Sequence, residues 1–597
     1  MTLNDPLPFL FNVLGDMLDS KSYLVLLRCN TKLRKTKTRK DIRLNSAFDL
    51  SRLLNLIVEQ KANIFLTGEA GTGKTYSVNT LIKLFETMKM KYKLTATTGR
   101  ACTNYTECVT LHSFSGLGKG TAPIDQIRAD FASYAQKHGD NTIPPRYRRW
   151  QEIEYLIIDE VSMLGKRFIE KLDLVARRSR HCSKPFGGVK IIFVGDLLQL
   201  PPVGDKFVFE SEIWSKLKLE YVYLTHVYRQ LHDPEYLHLL SRIRRGISTE
   251  SDMNFLIDNA NNYREEKKER EDLEALQFLK ASRIAKQEEE KEIIVIDDNE
   301  NEEDHELFNT ELNILKTKPI HLTSFHVDCD RINLQEFGKI RNSIIESSSC
   351  VDTVLERVVN GEKTVLRPTS RASVSEALVK IGKYIENKMP QMVEFKIGAQ
   401  YVLTRNINIA RKQINGSICF YDVIDNPDQP GTQIGVVKFS NINFIRLEDL
   451  LHSHVQAVFG MDNIYLRRVQ YSLRLGYALT IHGSQGMTLE EAEIDLSRKS
   501  ARFAGAAYVA LSRVKSRQGL HLVNFDPKAI RVHEKAKLED ARILNKITRQ
   551  KRKEQEKEIA LEQEKQEEEQ QQKQEEEEQN KIIEIGSNSR RKRARLQ

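Results

Sequence analysis

The chain of 597 residues has only seven cysteines, at 29, 102, 108, 182, 329, 350 and 419, and none of them forms a Cys-x-x-Cys pair. Scattered and odd in number, they exclude a disulfide framework, argue against a structural zinc site, and fit a reducing compartment. No apolar run approaches the roughly 18 residues that a membrane-crossing helix needs, so no membrane partner is expected. The first residues lack a leading basic region and carry Asp5, Asp16 and Asp19, the wrong pattern for a secretory signal. Residues 28–43 are basic, which leaves a mitochondrial presequence as an alternative destination, although the early acids weaken it.

Charge is plentiful but uneven. The formal net charge is +9, yet residues 287–306 hold eleven acids against Lys291 alone, which leaves the remainder near about +19. That balance suits a polyanionic partner. Residues 1–45 read as a weakly ordered leader. From 46 to about 260, apolar runs such as Ile64–Leu66, Tyr92–Ala96, Tyr155–Ile158, Lys190–Val194 and Tyr221–Leu224 alternate with helical stretches. Strands separated by crossover helices imply a parallel α/β sheet. Residues 264–316 form a charged, low-complexity insertion, and globular character returns over 317–533. A Lys/Glu/Gln-dense tail, 534–597, ends in the basic cluster Arg590–Arg595, which suits nuclear import or a nucleic-acid contact.

The most specific signal is Gly68-Glu69-Ala70-Gly71-Thr72-Gly73-Lys74-Thr75, placed between the apolar run Ile64–Leu66 and an amphipathic stretch. This is a phosphate loop in its required context. Its glycines let successive backbone N–H groups face phosphate oxygens, Lys74 adds charge for the terminal phosphates, and the Thr75 hydroxyl is a ligand for Mg2+. A nucleoside triphosphate and Mg2+ are therefore expected here, and the family resemblance given below makes the nucleotide ATP. The strand Tyr155–Ile158 ends in Asp159-Glu160. Asp159 is placed to hold the magnesium shell, and Glu160 to orient and deprotonate an attacking water. A third strand runs into Gly195-Asp196-Leu197-Leu198-Gln199, where Gln199 is an uncharged donor able to report loss of the terminal phosphate.

Further motifs follow in order: Thr95–Ala101, Thr110–Phe114, Ile158–Met163, Gly195–Val203, Arg229-Gln230, Thr480–Gly486 and Tyr508–Arg513. Together they resemble the superfamily 1B helicases. The segment Lys171–Arg178 leading into Lys184–Gly188, with support from Ile243–Gly246, Gly398–Leu403, Asn406 and Asn415-Gly416, narrows the resemblance to the petite integration frequency (PIF) family of 5′-to-3′ DNA helicases. Two departures stand out: residues 44–50 lack the family's adenine-reading Gln, and Gly483 replaces the basic residue usual after the motif histidine.

The resemblance implies two RecA-like parallel-sheet domains, over 46–260 and 317–533, with nucleotide between them. It implies a small wedge at about 113–150 and a small β-barrel insertion, similar to a Src-homology-three barrel, at about 385–470. It selects Arg229 and Arg513 as catalytic arginines beside Lys74, Asp159, Glu160 and Gln199. It also implies single-stranded and forked DNA as partners, contacted by Thr98, Gly99, Arg100, His112, Phe114, His482, Ser484, Gln485 and Tyr508. The expected activity is ATP-dependent 5′-to-3′ translocation and unwinding in genome maintenance, by a monomer in the nucleus. G-quadruplexes and RNA–DNA hybrids are further candidate substrates. An RNA-directed helicase and an ATP-switched DNA-binding scaffold are the alternatives. The run Ile293–Ile296 followed by Asp297-Asp298 also resembles the edge strand with which SUMO-binding peptides dock.

Overall fold

A computed structural model describes residues 52–550, apart from 293–317 and short gaps that cluster in 341–345 and 406–462, together with isolated positions beyond 550. The leader, the Ile293–Ile296 run, Asn406, Asn415-Gly416 and the terminal basic cluster lie outside the described residues.

Six parallel strands make the first sheet. β1 (Ile64–Gly68), β2 (Tyr92–Ala96), β3 (Val109–Thr110), β4 (Tyr155–Asp159), β5 (Lys190–Gly195) and β6 (Glu220–Leu224) are arranged in the order β3-β2-β4-β5-β1-β6. β1 and β4 are buried at every position. This is why they read as continuous apolar runs rather than alternating ones: a parallel sheet is covered on both faces. Helix α1 (Lys74–Thr87) follows β1 and sets Val78, Leu81 and Phe85 against the sheet.

The second sheet is smaller and also parallel. It is formed by β7 (Ile320–Thr323), Ala478–Thr480, Ala492–Leu496 and Leu520–Phe525, with β7 second in the row. Two RecA-like α/β domains thus face each other. Between β7 and Ala478, antiparallel β structure is inserted. A five-stranded sheet spans 400–475, and a four-stranded sheet pairs Val351–Asn360 with Lys363–Pro368 and Ile464–Tyr471, the latter also pairing Leu451–Ala457. The insertion therefore begins near residue 346, not at 385. Its first strands pair with its last ones, and such long-range pairing leaves no local mark. The stretch expected as a wedge holds a helix, Ile124–His138, whose Phe131 stacks on Tyr147 at 4.9 Å.

Two expected boundaries are corrected by packing. Helix α2 (Pro234–Arg245) and the start of α3 (Glu250–Glu292) place Tyr236, Leu239, Leu240, Ile243, Leu256 and Ala260 in the core of the second sheet, with Leu322, Ile494 and Leu511. The first domain's own contribution thus ends near 233, and the cut at 264 falls inside a continuous helix. In the other direction, the helix over 534–550 returns to the first domain, where Ile543 and Ile547 join a core containing Phe65, Trp214 and Tyr221. The start of the presumed tail is a structural helix. Each sheet is completed by a helix from the far side of the chain.

Candidate nucleotide site and nucleic-acid contacts

The site lies at the C-terminal ends of the strands of the first sheet, where ligands bind in open α/β folds. After β1 the chain turns through Gly71 (φ +81°) and Gly73 (φ +86°), left-handed positions that glycine takes without strain. A Cβ at Gly71 would come within 2.7 Å of Arg229 Cβ, so the loop after β6 approaches closely only because position 71 has no side chain. Lys74 Nζ folds back and donates to the carbonyls of Gly68 and Glu69, both at 2.8 Å. Burial lowers its pKa against the pull of Asp196 and Glu160.

Asp159 ends β4. It accepts from the Tyr105 hydroxyl at 2.6 Å and from the Glu160 N–H at 2.8 Å, and burial raises its pKa despite both bonds. Glu160 sits at φ +54°, a backbone conformation that costs energy for a residue with a Cβ. Burial, and then the neighbouring Asp159, push its carboxyl up to about 7. Such an acid is poised to exchange a proton near neutral pH.

Arg229 and Arg513 reach the same cleft from opposite domains. Arg229 donates to the Ser512 carbonyl at 2.7 Å, and Arg513 is 2% exposed, donating to the Val509 carbonyl (2.8 Å), the Met487 carbonyl (3.2 Å) and Ser512 Oγ (2.9 Å). Neither has an ion pair among the described residues. Burial lowers both pKa values, Arg229 to about 9 with Arg513 as the next cause. Arg229 is half-buried and Arg513 buried, Glu160 is the acid that acts on both without a salt bridge, and an anion between two such guanidiniums would relieve their repulsion. Between them and the phosphate loop opens a cleft of about 510 Å³, lined also by Thr75, Asp159, Glu160 and Gln199. Ala70 to Thr75, Asp159, Glu160, Gln199, Arg229 and Arg513 therefore line one cleft, whereas the Glu69 side chain turns away to Ser241 and Arg245. Hard oxygen ligands at Thr75 and Asp159, beside carboxyls whose pKa values burial raises, suit Mg2+.

Several expected DNA contacts lie elsewhere. Gln485 is buried in the nucleotide cleft, where its amide N–H donates to Glu160 Oε2 at 2.9 Å and to Gln199 Oε1 at 3.2 Å, and its Oε1 has no partner. Tyr508, 3% exposed, accepts the Ala70 N–H on its hydroxyl at 2.8 Å, so it locks the second domain onto the phosphate loop. Phe114, 2% exposed, packs on Trp150 at 5.0 Å in the first core. Ser484 is buried and donates to the Ile481 carbonyl at 2.8 Å. These four are corrected, because each side chain is buried and engaged with other parts of the protein, Gln485 through its amide N–H.

Thr98, Gly99, His112 and His482 remain near the surface. Thr98 Oγ1 accepts from the Ala101 N–H at 3.1 Å and opens the helix Gly99–Cys102, on which Arg100 stands. His112 is half-buried and stacked on Phe168 at 4.2 Å, and His482 is half-buried with its ring edge on Phe503 at 5.7 Å. Burial lowers both imidazole pKa values.

Three functional features had no role in the sequence reading. Tyr105 left no signal at all. Asp196 did, as an acid at the end of a parallel strand. It forms a fully buried cluster with Arg244 (2.8 Å), which also holds Asp540 (2.9 Å). The cluster ties β5 to α2 and to the helix over 534–550. Glu69 of the loop accepts from Ser241 Oγ at 3.0 Å and pairs with Arg245 at 3.3 Å on the same α2.

Residues 49–252 match the model of the PIF1-like helicase family. The chain is 30% identical over 490 residues to the ATP-dependent DNA helicase PIF1 of Danio rerio, covering 81% of this chain and 61% of that protein. Over residues 49–252 the chain is thus similar to the PIF1-like helicase family. It spans about three fifths of the length of the curated relatives it matches. Its fold is shared with the crystal structure of Pif1 helicase from Candida albicans (24% identity, TM-score 0.60, covering 83% of this chain and 98% of that one). It is shared as well with Bacteroides sp Pif1 in complex with ADP-AlF4 (21% identity, TM-score 0.54, covering 83% and 97%). In a PIF1-like chain the two cleft arginines acquire an obvious anion, the phosphates of a nucleotide.

Proposed function

We propose that this chain hydrolyses ATP and uses the cycle to move 5′-to-3′ along single-stranded DNA, unwinding duplex ahead of it. The observation that carries the reading is the pair of arginines with no salt bridge among the described residues, half-buried Arg229 and buried Arg513, brought from two domains to one phosphate loop. Lys74 exchanges its loop carbonyls for the terminal phosphates. Thr75 and Asp159 hold Mg2+, which offsets charge on the β- and γ-oxygens when bound. Glu160 orients a water through its carboxylate and takes its proton. Gln199 and Gln485, already hydrogen-bonded to each other, report on the outermost phosphate. The arginines stabilise the transferring group, an effect worth roughly 10³–10⁵ in rate for a residue of this kind.

Closing on ATP and opening after hydrolysis would move the domains along DNA held at Thr98, Gly99, Arg100, His112 and His482. Phosphate contacts suit a motor indifferent to sequence. A nuclear role in genome maintenance is supported by the basic cluster at 590–595. The test is ATP-driven unwinding of matched 5′- and 3′-tailed duplexes, with Glu160→Gln as control. Opening only the 5′-tailed substrate is expected; opening of neither, or unwinding by Glu160→Gln, contradicts the reading. Because Glu160 acts as a carboxylate, turnover should rise as pH climbs through about 7 and lose that step in Glu160→Gln.

A further inference from the structure

Asp159 Oδ2 accepts from the Tyr105 hydroxyl at 2.6 Å, and Oδ1 accepts from the Glu160 N–H at 2.8 Å. Each carboxylate oxygen thus has one fixed donor, and the plane of the group is set. Tyr105 is 2% exposed and packs in the core that contains Val78, Leu94 and Tyr155, so its hydroxyl is delivered from a rigid base. A donor this close to an ionised oxygen makes a charge-assisted bond. It still leaves each oxygen a second lone-pair direction for a metal or its water.

Tyr105 has a backbone tie as well. Its N–H donates to the Cys102 carbonyl at 3.2 Å, at the end of the helix Gly99–Cys102. Before the start of that helix, Thr97 donates its N–H to the Asp159 carbonyl at 3.1 Å and its hydroxyl to the Glu160 carbonyl at 2.9 Å. The short helix is therefore fastened on both sides to one carboxylate pair. Thr98, Gly99 and Arg100, where the proposed function places DNA, lie between the two ties along the chain.

We propose that Tyr105 is a positioning residue: its hydroxyl aims Asp159 for Mg2+ and makes binding of the Mg2+–nucleotide depend on DNA held at Thr98, Gly99 and Arg100. This deepens the proposed function and rests on it. A ligand that pulls on the helix acts through Thr97 on the backbone of Asp159 and through Tyr105 on its side chain. Groups that orient a metal ligand typically govern metal affinity by about 10–100-fold. Linkage makes the coupling reciprocal: the factor by which DNA tightens the Mg2+–nucleotide is the factor by which the Mg2+–nucleotide tightens DNA.

The test titrates Mg2+ into the full-length chain with a fluorescent non-hydrolysable ATP analogue, with and without single-stranded oligo(dT), and reads binding rather than turnover. In the wild type, oligo(dT) should lower the Mg2+ concentration for half-maximal binding by about fivefold or more. Tyr105→Phe removes one oxygen and keeps the ring. It should raise that concentration by about tenfold and lose most of the oligo(dT) effect. Thr97→Val cuts the other tie and spares the bonds on the Asp159 side chain, so it should lose the oligo(dT) effect alone. A merely structural role for Tyr105 would instead lower the melting temperature and leave the Mg2+ dependence in place. The proposal is overturned by a wild type without the oligo(dT) effect, by a Tyr105→Phe protein with wild-type Mg2+ dependence, or by a Thr97→Val protein that keeps the effect. A wild type that hydrolyses ATP but fails here sinks this inference alone. One that binds no nucleotide at any Mg2+ concentration takes the ATPase reading with it.

Discussion

The two walls of the nucleotide cleft are built alike and read very differently. Both are the C-terminal ends of parallel sheets. On the first wall, Lys74, Asp159, Glu160 and Gln199 stand at the ends of strands that were legible as apolar runs, and they face the cleft as the motifs imply. On the second wall, Gln485 and Tyr508 were expected on DNA and instead touch Glu160, Gln199 and Ala70. The second domain therefore turns these motif residues toward the phosphate loop and the first wall, with Tyr508 and Arg229–Ser512 bridging the two.

The strongest challenge to this comparison is Arg513→Ala. If the second wall supplies transition-state charge, DNA-stimulated ATP turnover should fall by about 10³ with little change in DNA affinity. A loss of DNA binding with turnover intact would move Arg513 to the other side of the argument. Next in size is Asp540→Ala, which opens the buried Asp196–Arg244–Asp540 cluster. Removing one partner of such a group costs about 3 kcal/mol, read as a lower urea midpoint. An unchanged midpoint would return the helix over 534–550 to the status of a tail.

Gln485→Ala sharpens the comparison further. Losing a hydrogen bond to a buried carboxylate is worth about 1.5 kcal/mol, so turnover should drop roughly tenfold. DNA affinity without nucleotide should hold, whereas a DNA-contacting Gln485 would show the reverse. The smallest effect is expected from Phe114→Leu. A near-volume-conserving core change costs under about 1.5 kcal/mol of stability and should leave DNA affinity alone. Weakened DNA binding without loss of stability would make Phe114 a stacking platform after all.

The differences between expectation and structure share a cause. Gly68–Thr75 was readable because its function demands local geometry: a strand, a left-handed turn and a helix start within a dozen residues. Asp159-Glu160 was readable because it closes an apolar strand downstream of a phosphate loop, whereas alone it would have read as an ordinary acidic turn. By contrast, Phe114 and Ser484 sit in short motifs where a buried and an exposed residue look the same. Their neighbours in space, Trp150 and the Ile481 carbonyl, decide between the two. The helices completing each sheet show the same limit on a larger scale. The 534–550 stretch had read as the start of a charged tail and α2 as part of the first domain, yet the one packs into the first core and the other into the second.

By itself the amino-acid order determined the phosphate loop, the carboxylate pair, the α/β class and the resemblance to a helicase family, because these depend on spacings along a few residues. Tertiary structure alone decided that Gln485 and Tyr508 face nucleotide, that Tyr105 holds Asp159, and that Arg244 joins three distant segments. Those outcomes come from which surfaces exclude water together, and water exclusion is a property of contacts between segments far apart in the chain.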